Sequence, residues 1–206
     1  LNRAGVTPVG VFRALQADNA HLHLEADDLR LYVLLPHPDL ASALALPERL
    51  GADATLAPQE AAALGTPQSD PLYERCEAQL MLGFTACPRV EVPTSATTRV
   101  LQLRIYESHN DERARRKIEM FNDGGEIALF RRLAMPPVFF GQSIAGTALP
   151  NLTYMLGFDS PAAMEAAWTT FRADPEWARL KVDPRYAETV SRVTNIILRP
   201  LPGSQI

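Results

Sequence analysis

Cysteine is scarce in this sequence: 206 residues carry two, Cys76 and Cys87, which excludes a small fold stapled by several disulfides. Both are read as free, partly buried thiols. Long apolar runs are missing as well. The best candidate, Leu29 to Pro36, is interrupted by Arg30 and stops at a proline, far short of the roughly 18 residues of a membrane-spanning helix. Positive charge is not in excess. Twenty Lys and Arg stand against 24 Asp and Glu, a net charge of -4, the wrong sign for a generic nucleic-acid or anionic-membrane surface. There is no C-x-x-C pair, H-E-x-x-H, G-x-S-x-G or dinucleotide fingerprint, which argues against the usual zinc, serine-hydrolase and nicotinamide chemistries. What is present is ordinary globular material, 47% apolar and 21% charged. The expectation is a soluble protein, cytoplasmic by default with export left open.

Local patterning divides the chain in two. Leu1 to Arg3 followed by Gly5 has the form of a last helical turn closed by a glycine cap, and Pro8 introduces a strand over Val9 to Leu15. Residues 16–28 are polar and acidic and read as a loop or hairpin, and Leu29 to Leu35 is a buried-strand signal. Asp39 suits the N-cap of a helix carrying Leu40, Ala43, Leu44 and Leu46. Helical stretches are expected at 58–65 and from Pro71 to Arg75, then a strand from Leu80 to Phe84. Residues 94–99 lack an apolar period and read as a linker between units at 1–93 and 100–200, with 201–206 as a tail. In the second unit a strand at Val100 to Tyr106 leads to a helix capped by Asn110, then a break at Gly124-Gly125. A hairpin over 136–158, a helix capped by Ser160 and a strand at 190–198 follow. Strand, helix, strand, strand, helix, strand is the order of a ferredoxin-like unit, and the first half repeats it without its leading strand and most of its first helix. The expected fold class is α+β, with two tandem ferredoxin-like (β-α-β-β-α-β) domains.

Four stretches carry a family resemblance: Leu101-Gln-Leu-Arg-Ile-Tyr-Glu107, the run from Lys117 to Ile127, the loop Leu149-Pro-Asn-Leu-Thr-Tyr-Met155, and Trp168 to Trp177. Together they resemble the NIPSNAP family over roughly residues 98–200. Residues 6–92, with Val6 to Phe12 and Leu31 to His37, look like a second, more divergent copy. The resemblance implies a dimeric α/β-barrel architecture in which two ferredoxin-like sheets pack face to face, within a chain or between chains. It also implies a strand before Leu1. The family has no settled reaction, and its fold relatives range from cofactor-free monooxygenases to proteins that only bind or assemble.

In such a half-barrel one sheet face meets helices and the other a cavity. Leu101, Leu103 and Ile105 are expected against the helices, with Gln102, Arg104 and Tyr106 in the cavity. A guanidinium there needs a partner, for which Glu126 is the candidate, and a structural ion pair is the plainer reading. Phe139 and Phe140 fall on opposite faces of their strand, one of them beside Tyr154. The candidate ligand-binding set is Arg104, Tyr106, Glu126, Phe140 and Tyr154. No catalytic residue, cofactor or metal is assigned. His21 and His23 with Glu25, Asp27 and Asp28 could offer metal ligands but read more plainly as a surface hairpin. Gly124-Gly125 costs helix propensity and is read as close packing over a neighbour, the alternative being backbone groups opened towards a small ligand, and it lacks the spacing of a phosphate loop. Trp168, Phe171 and Trp177 read as core or interface aromatics, and Arg113 to Lys117 as a solvated helix face. Two functions fit. One is a small-molecule-binding or assembly module, a homodimer enclosing an apolar cavity between β-sheets for a small apolar or aromatic ligand. The other is a cofactor-independent monooxygenase acting on such a substrate.

Overall fold

Seven strands build one antiparallel sheet in a computed structural model that describes residues 1–25, 30–56, 58 and 65–206. They are β1 (Gly10–Ala14), β2 (Leu31–Leu34), β3 (Leu80–Gly83), β4 (Val100–Glu107), β5 (Pro137–Ala145), β6 (Asn151–Phe158) and β7 (Arg192–Pro200). Helices α1 (Leu40–Leu44) and α2 (Leu46–Gly51) follow β2, α3 (Asp111–Asn122) and α4 (Glu126–Arg132) link β4 to β5, and α5 (Pro161–Ala173) and α6 (Pro175–Leu180) link β6 to β7. The strand order is β2-β1-β7-β4-β6-β5-β3, so strands of the first half flank those of the second on both sides. The α+β class agrees with the sequence, but the described residues form a single sheet rather than two facing ones.

The sheet is curled. Phe12 and Ala14 of β1, Leu101 of β4, Phe139 of β5, Met155 of β6 and Leu198 of β7 form one buried cluster. Tyr32 and Leu34 of the edge strand β2 and Met81 of the opposite edge strand β3 pack against it as well. Side chains from both edges reach a common cluster only if the sheet bends around it, so the concave face encloses an apolar core, with Ser143, Asn151 and Thr153 buried and hydrogen-bonded on the same face. Val138 joins Phe139 in that interior despite being its neighbour, because the register of β5 shifts between Pro137 and Phe139 and re-aims the chain. The convex face of the second half carries α3 to α6 over a second core that includes Phe121, Phe130, Phe140, Tyr154 and Phe171.

The alternation along β4 is as the sequence reads, but its direction is reversed. Leu101 and Leu103 pack in the concave interior, whereas Gln102, Arg104 and Tyr106 face the helices. The physical reason is partner supply. The concave side offers mostly carbon surface from seven strands, which suits leucine. The helix side offers the Trp168 indole N–H and the Tyr154 hydroxyl, which can meet polar groups.

Helix starts follow the cap chemistry. The Asn110 side chain accepts from the Arg113 N–H at 2.9 Å, that of Ser160 from Ala163 at 3.1 Å and that of Asp39 from Ser42 at 2.7 Å. Gly125 has φ 85° and turns the chain between α3 and α4, and a Cβ on Gly124 would come within 2.6 Å of the Met120 carbonyl oxygen. The pair therefore serves a tight turn and close packing.

Pro71 to Arg75 is irregular rather than helical, with Leu72 and Tyr73 exposed. A five-residue stretch with no buried face cannot offset the cost of helix nucleation. Leu29, Asp27 and Asp28, and nearly all of the helix expected at 58–65, lie outside the described residues.

Candidate functional site

On the helix side of β4, Tyr106 meets Phe121 of α3, and Gln102 and Arg104 meet Trp168 of α5. Pro161 at the first turn and the Ser160 cap fix where that helix starts. From there Trp168 falls over the middle of β4, its indole Nε1 donating to Gln102 Oε1 at 2.6 Å. The amide nitrogen of Gln102 donates in turn to Asn195 Oδ1 of β7 at 2.7 Å. The buried Gln102 amide thus has both ends engaged and acts as a fixed post between helix and sheet.

Two residues further on, Cζ of Arg104 lies 4.7 Å from the Trp168 ring centre and 5.3 Å from that of Tyr106. Its Nε is buried and has no hydrogen-bond partner. Burial disfavours the charged form, but the Tyr154 and Tyr106 hydroxyls and the Glu126 carboxylate outweigh it and hold the guanidinium above its ordinary pKa. Arg104 is a cation throughout the physiological range.

Tyr106 and Tyr154 share a hydroxyl–hydroxyl hydrogen bond of 3.0 Å. Tyr154 is fully buried, and Phe140 stacks on it at 4.8 Å with planes 6° apart. Burial, with Tyr106 nearby, raises the Tyr154 phenol well above its usual value despite the opposing pull of Arg104. Glu126, the first residue of α4, is buried but pairs with Lys117 of α3 rather than Arg104, Nζ to Oε2 at 2.7 Å.

Between β4, α5 and α6 lies an open cleft of about 590 Å³, lined by Arg104, Tyr106, Glu126, Met164, Trp168 and Trp177 among others. That volume falls in the usual range for small-molecule sites. Of the five residues singled out from the sequence, Arg104, Tyr106 and Glu126 line this cleft. Phe140 and Tyr154 support it from the core without lining it. The cleft lies between sheet and helices, not between two sheets. Lys117 and the tryptophans are not among the site residues expected from the sequence, and Gln102 is expected in the cavity but not as a ligand contact. A signal for Lys117 existed: it sits three residues after Ala114 and four before Phe121, in register with the buried stripe of α3.

His21 lies apart from this site, exposed, with Nε2 2.8 Å from the Asn195 carbonyl oxygen. Among the described residues no three His, Cys, Asp or Glu side chains converge as a metal site.

The sequence signature of the family described as NIPSNAP matches residues 99–205. No curated protein matches the chain. Among solved structures, an uncharacterised NIPSNAP-like domain protein from Burkholderia xenovorans is 20% identical, over 52% of this chain and 88% of its own, with a TM-score of 0.46. A NIPSNAP family protein from Agrobacterium tumefaciens is 18% identical, over 52% of this chain and 98% of its own, also at 0.46. A protein from Lactobacillus acidophilus, assigned provisionally as a monooxygenase, covers 94% of this chain and 77% of its own at 10% identity, with a TM-score of 0.55. That last likeness shows the fold alone, and it extends over both halves of the chain.

Proposed function

The chain belongs to the NIPSNAP family, and from that premise we propose that it is a small-molecule-binding protein whose site is the cleft between β4 and α5. The observation that carries this reading is the cleft itself: about 590 Å³, walled by Met164, Phe171 and both tryptophans of the chain, with a few polar groups among them. A wall of large aromatics suits a flat apolar or aromatic ligand. Because Trp168 and Trp177 are the only tryptophans and both line it, emission excited selectively at the indoles reports on this cleft. The test is a thermal-shift screen of small aromatic and lipid-like compounds followed by tryptophan emission titrations. Compounds that raise the melting temperature and change the emission saturably support the reading. A screen in which no stabilising compound alters the emission contradicts it.

The architecture belongs to the proposal too: two copies of one β-α-β-β-α-β unit, at 1–93 and 100–200, joined by 94–99. Within the second unit the order β7-β4-β6-β5 sets the first strand between the fourth and the third, as interleaved β-α-β units require. If β1, β2 and β3 are the second, third and fourth strands of the first unit, the β1·β7 and β5·β3 pairings become equivalent contacts. Strand direction alternates across the sheet, so the edges β2 and β3 run the same way. The arrangement then has one position left, for a strand antiparallel to both, at the place of the first unit's leading strand. Residues 94–206 expressed alone are expected to dimerise in sedimentation, by pairing the vacated edges of β5 and β7. A homodimer of the whole chain would cover Leu31, Val33 and Leu82, which are exposed on the edge strands.

A second reading, a cofactor-independent monooxygenase, uses the same cleft. It is favoured by the whole-chain likeness to the Lactobacillus acidophilus protein together with hydroxyl and guanidinium groups beside an aromatic wall. Oxygen uptake with an oxidisable naphthohydroquinone, above the rate without protein, separates it from binding alone.

A further inference from the structure

Resting on the reading of this cleft as a binding site, we propose that its ligand carries a carboxylate, held by Arg104, on an apolar aromatic body. The polar groups along the cleft floor are accounted for one by one. Gln102 spends its oxygen on Trp168 and its nitrogen on Asn195. Glu126 accepts from Lys117. The Tyr106 hydroxyl is bonded to that of Tyr154. Arg104 is the exception. Among the described residues no carboxylate forms an ion pair with it, its buried Nε has no hydrogen-bond partner, and its side-chain hydrogen bond with Tyr106 is to a neutral hydroxyl that Tyr154 also engages.

The rings of Trp168 and Tyr106 attract the cation but offer no lone pair to an N–H, so they stabilise its charge without satisfying the Nε–H. A guanidinium has five N–H donors in a planar fork, and the partner that matches two of them at once is a carboxylate lying in the same plane.

Charge points the same way. Of the charged residues that line the cleft, Arg104 and Arg172 stand against Glu126 and Glu165, and Glu126 is already neutralised from behind by Lys117. The surplus is positive and it resides at the half-buried Arg104, where water screens it least. The remaining wall of Met164, Phe171 and Trp177 offers no further charge, so one acid group on a hydrocarbon body satisfies the site.

Calorimetric titration of the wild-type chain with naphthoate and with neutral naphthamide of the same shape tests this without any substitution. Naphthoate should bind about tenfold tighter or better, the scale of one charge-assisted hydrogen-bonded contact. Arg104→Met should abolish the preference by weakening naphthoate binding far more than naphthamide binding, and Arg104→Lys should restore part of it. Equal binding of the two compounds, or a preference that survives Arg104→Met, overturns the carboxylate assignment while leaving the cleft a binding site. If neither compound binds, both this inference and the reading beneath it fall. Should Arg104→Met not fold, the wild-type comparison decides alone.

Discussion

Lys117 and Glu126 face each other across the turn between α3 and α4, Nζ to Oε2 at 2.7 Å, with 5% and 3% of their side chains exposed. The pair is enclosed by Phe121 and Tyr106 rings, 4.5 and 5.7 Å from the ammonium. A buried pair of this kind adds little net stability, but breaking it strands a charge. Lys117→Met is therefore expected to cost about 3–5 kcal/mol in urea unfolding, and the double variant with Glu126→Leu should recover most of that loss. A single variant as stable as the wild type would contradict the burial of the pair.

The hydroxyl bond between Tyr106 and Tyr154 gives a smaller, independent effect. Tyr106→Phe deprives the fully buried Tyr154 hydroxyl of its partner, so a loss of about 1–2 kcal/mol is expected, a few degrees in melting temperature for a chain of this length. An unchanged melting temperature would mean that this hydroxyl pair contributes nothing to the folded state.

Much of the second half was legible because its signals are local. Asn110 and Ser160 announce their helices through side-chain caps, and the period-two pattern of β4 fixes which residues share a face. Which face meets the helices was not legible, since that depends on the curl of the whole sheet and on Trp168, 66 residues beyond Gln102. Arg104, Tyr106 and Glu126 do line a cleft, but on the helix face of β4 rather than on the face away from the helices, where the sequence reading set Arg104 and Tyr106. The partner of Glu126 was missed because Lys117 sits in a run of charges that reads as solvated, although its position on α3 is interior. In the first half, Leu72 and Tyr73 look helical by composition yet have no surface to pack against.

The two thiols should differ sharply in reactivity. Cys76 is exposed, whereas burial, with Glu91 beside it, pushes the Cys87 thiol up to about 11. At neutral pH a thiol reagent should modify one cysteine per native chain quickly and the second only after unfolding. Rapid modification of both in the native protein would place Cys87 at the surface.

Asp174 makes stability depend on acid. Burial works against its ionisation, but the Glu176 and Trp177 backbone N–H groups and the Arg132 guanidinium outweigh it and hold the carboxyl below its ordinary value. Its contribution is fully present above the unfolded value of about 4 and is lost as pH falls through the depressed folded value. Asp174→Ala should flatten the acid limb of the stability profile and fray the start of α6. An acid limb identical to wild type would show that this cap is not linked to protonation.

The proton–nitrogen correlation spectrum of the chain holds two indole signals, from Trp168 and Trp177, and both report on the cleft. Titrating naphthoate should move both signals along a saturable curve, with the larger shift at Trp168, which lies over Arg104. Indole signals that stay fixed while backbone signals of β1 and β2 move, or a spectrum that does not change at all, would contradict binding in this cleft.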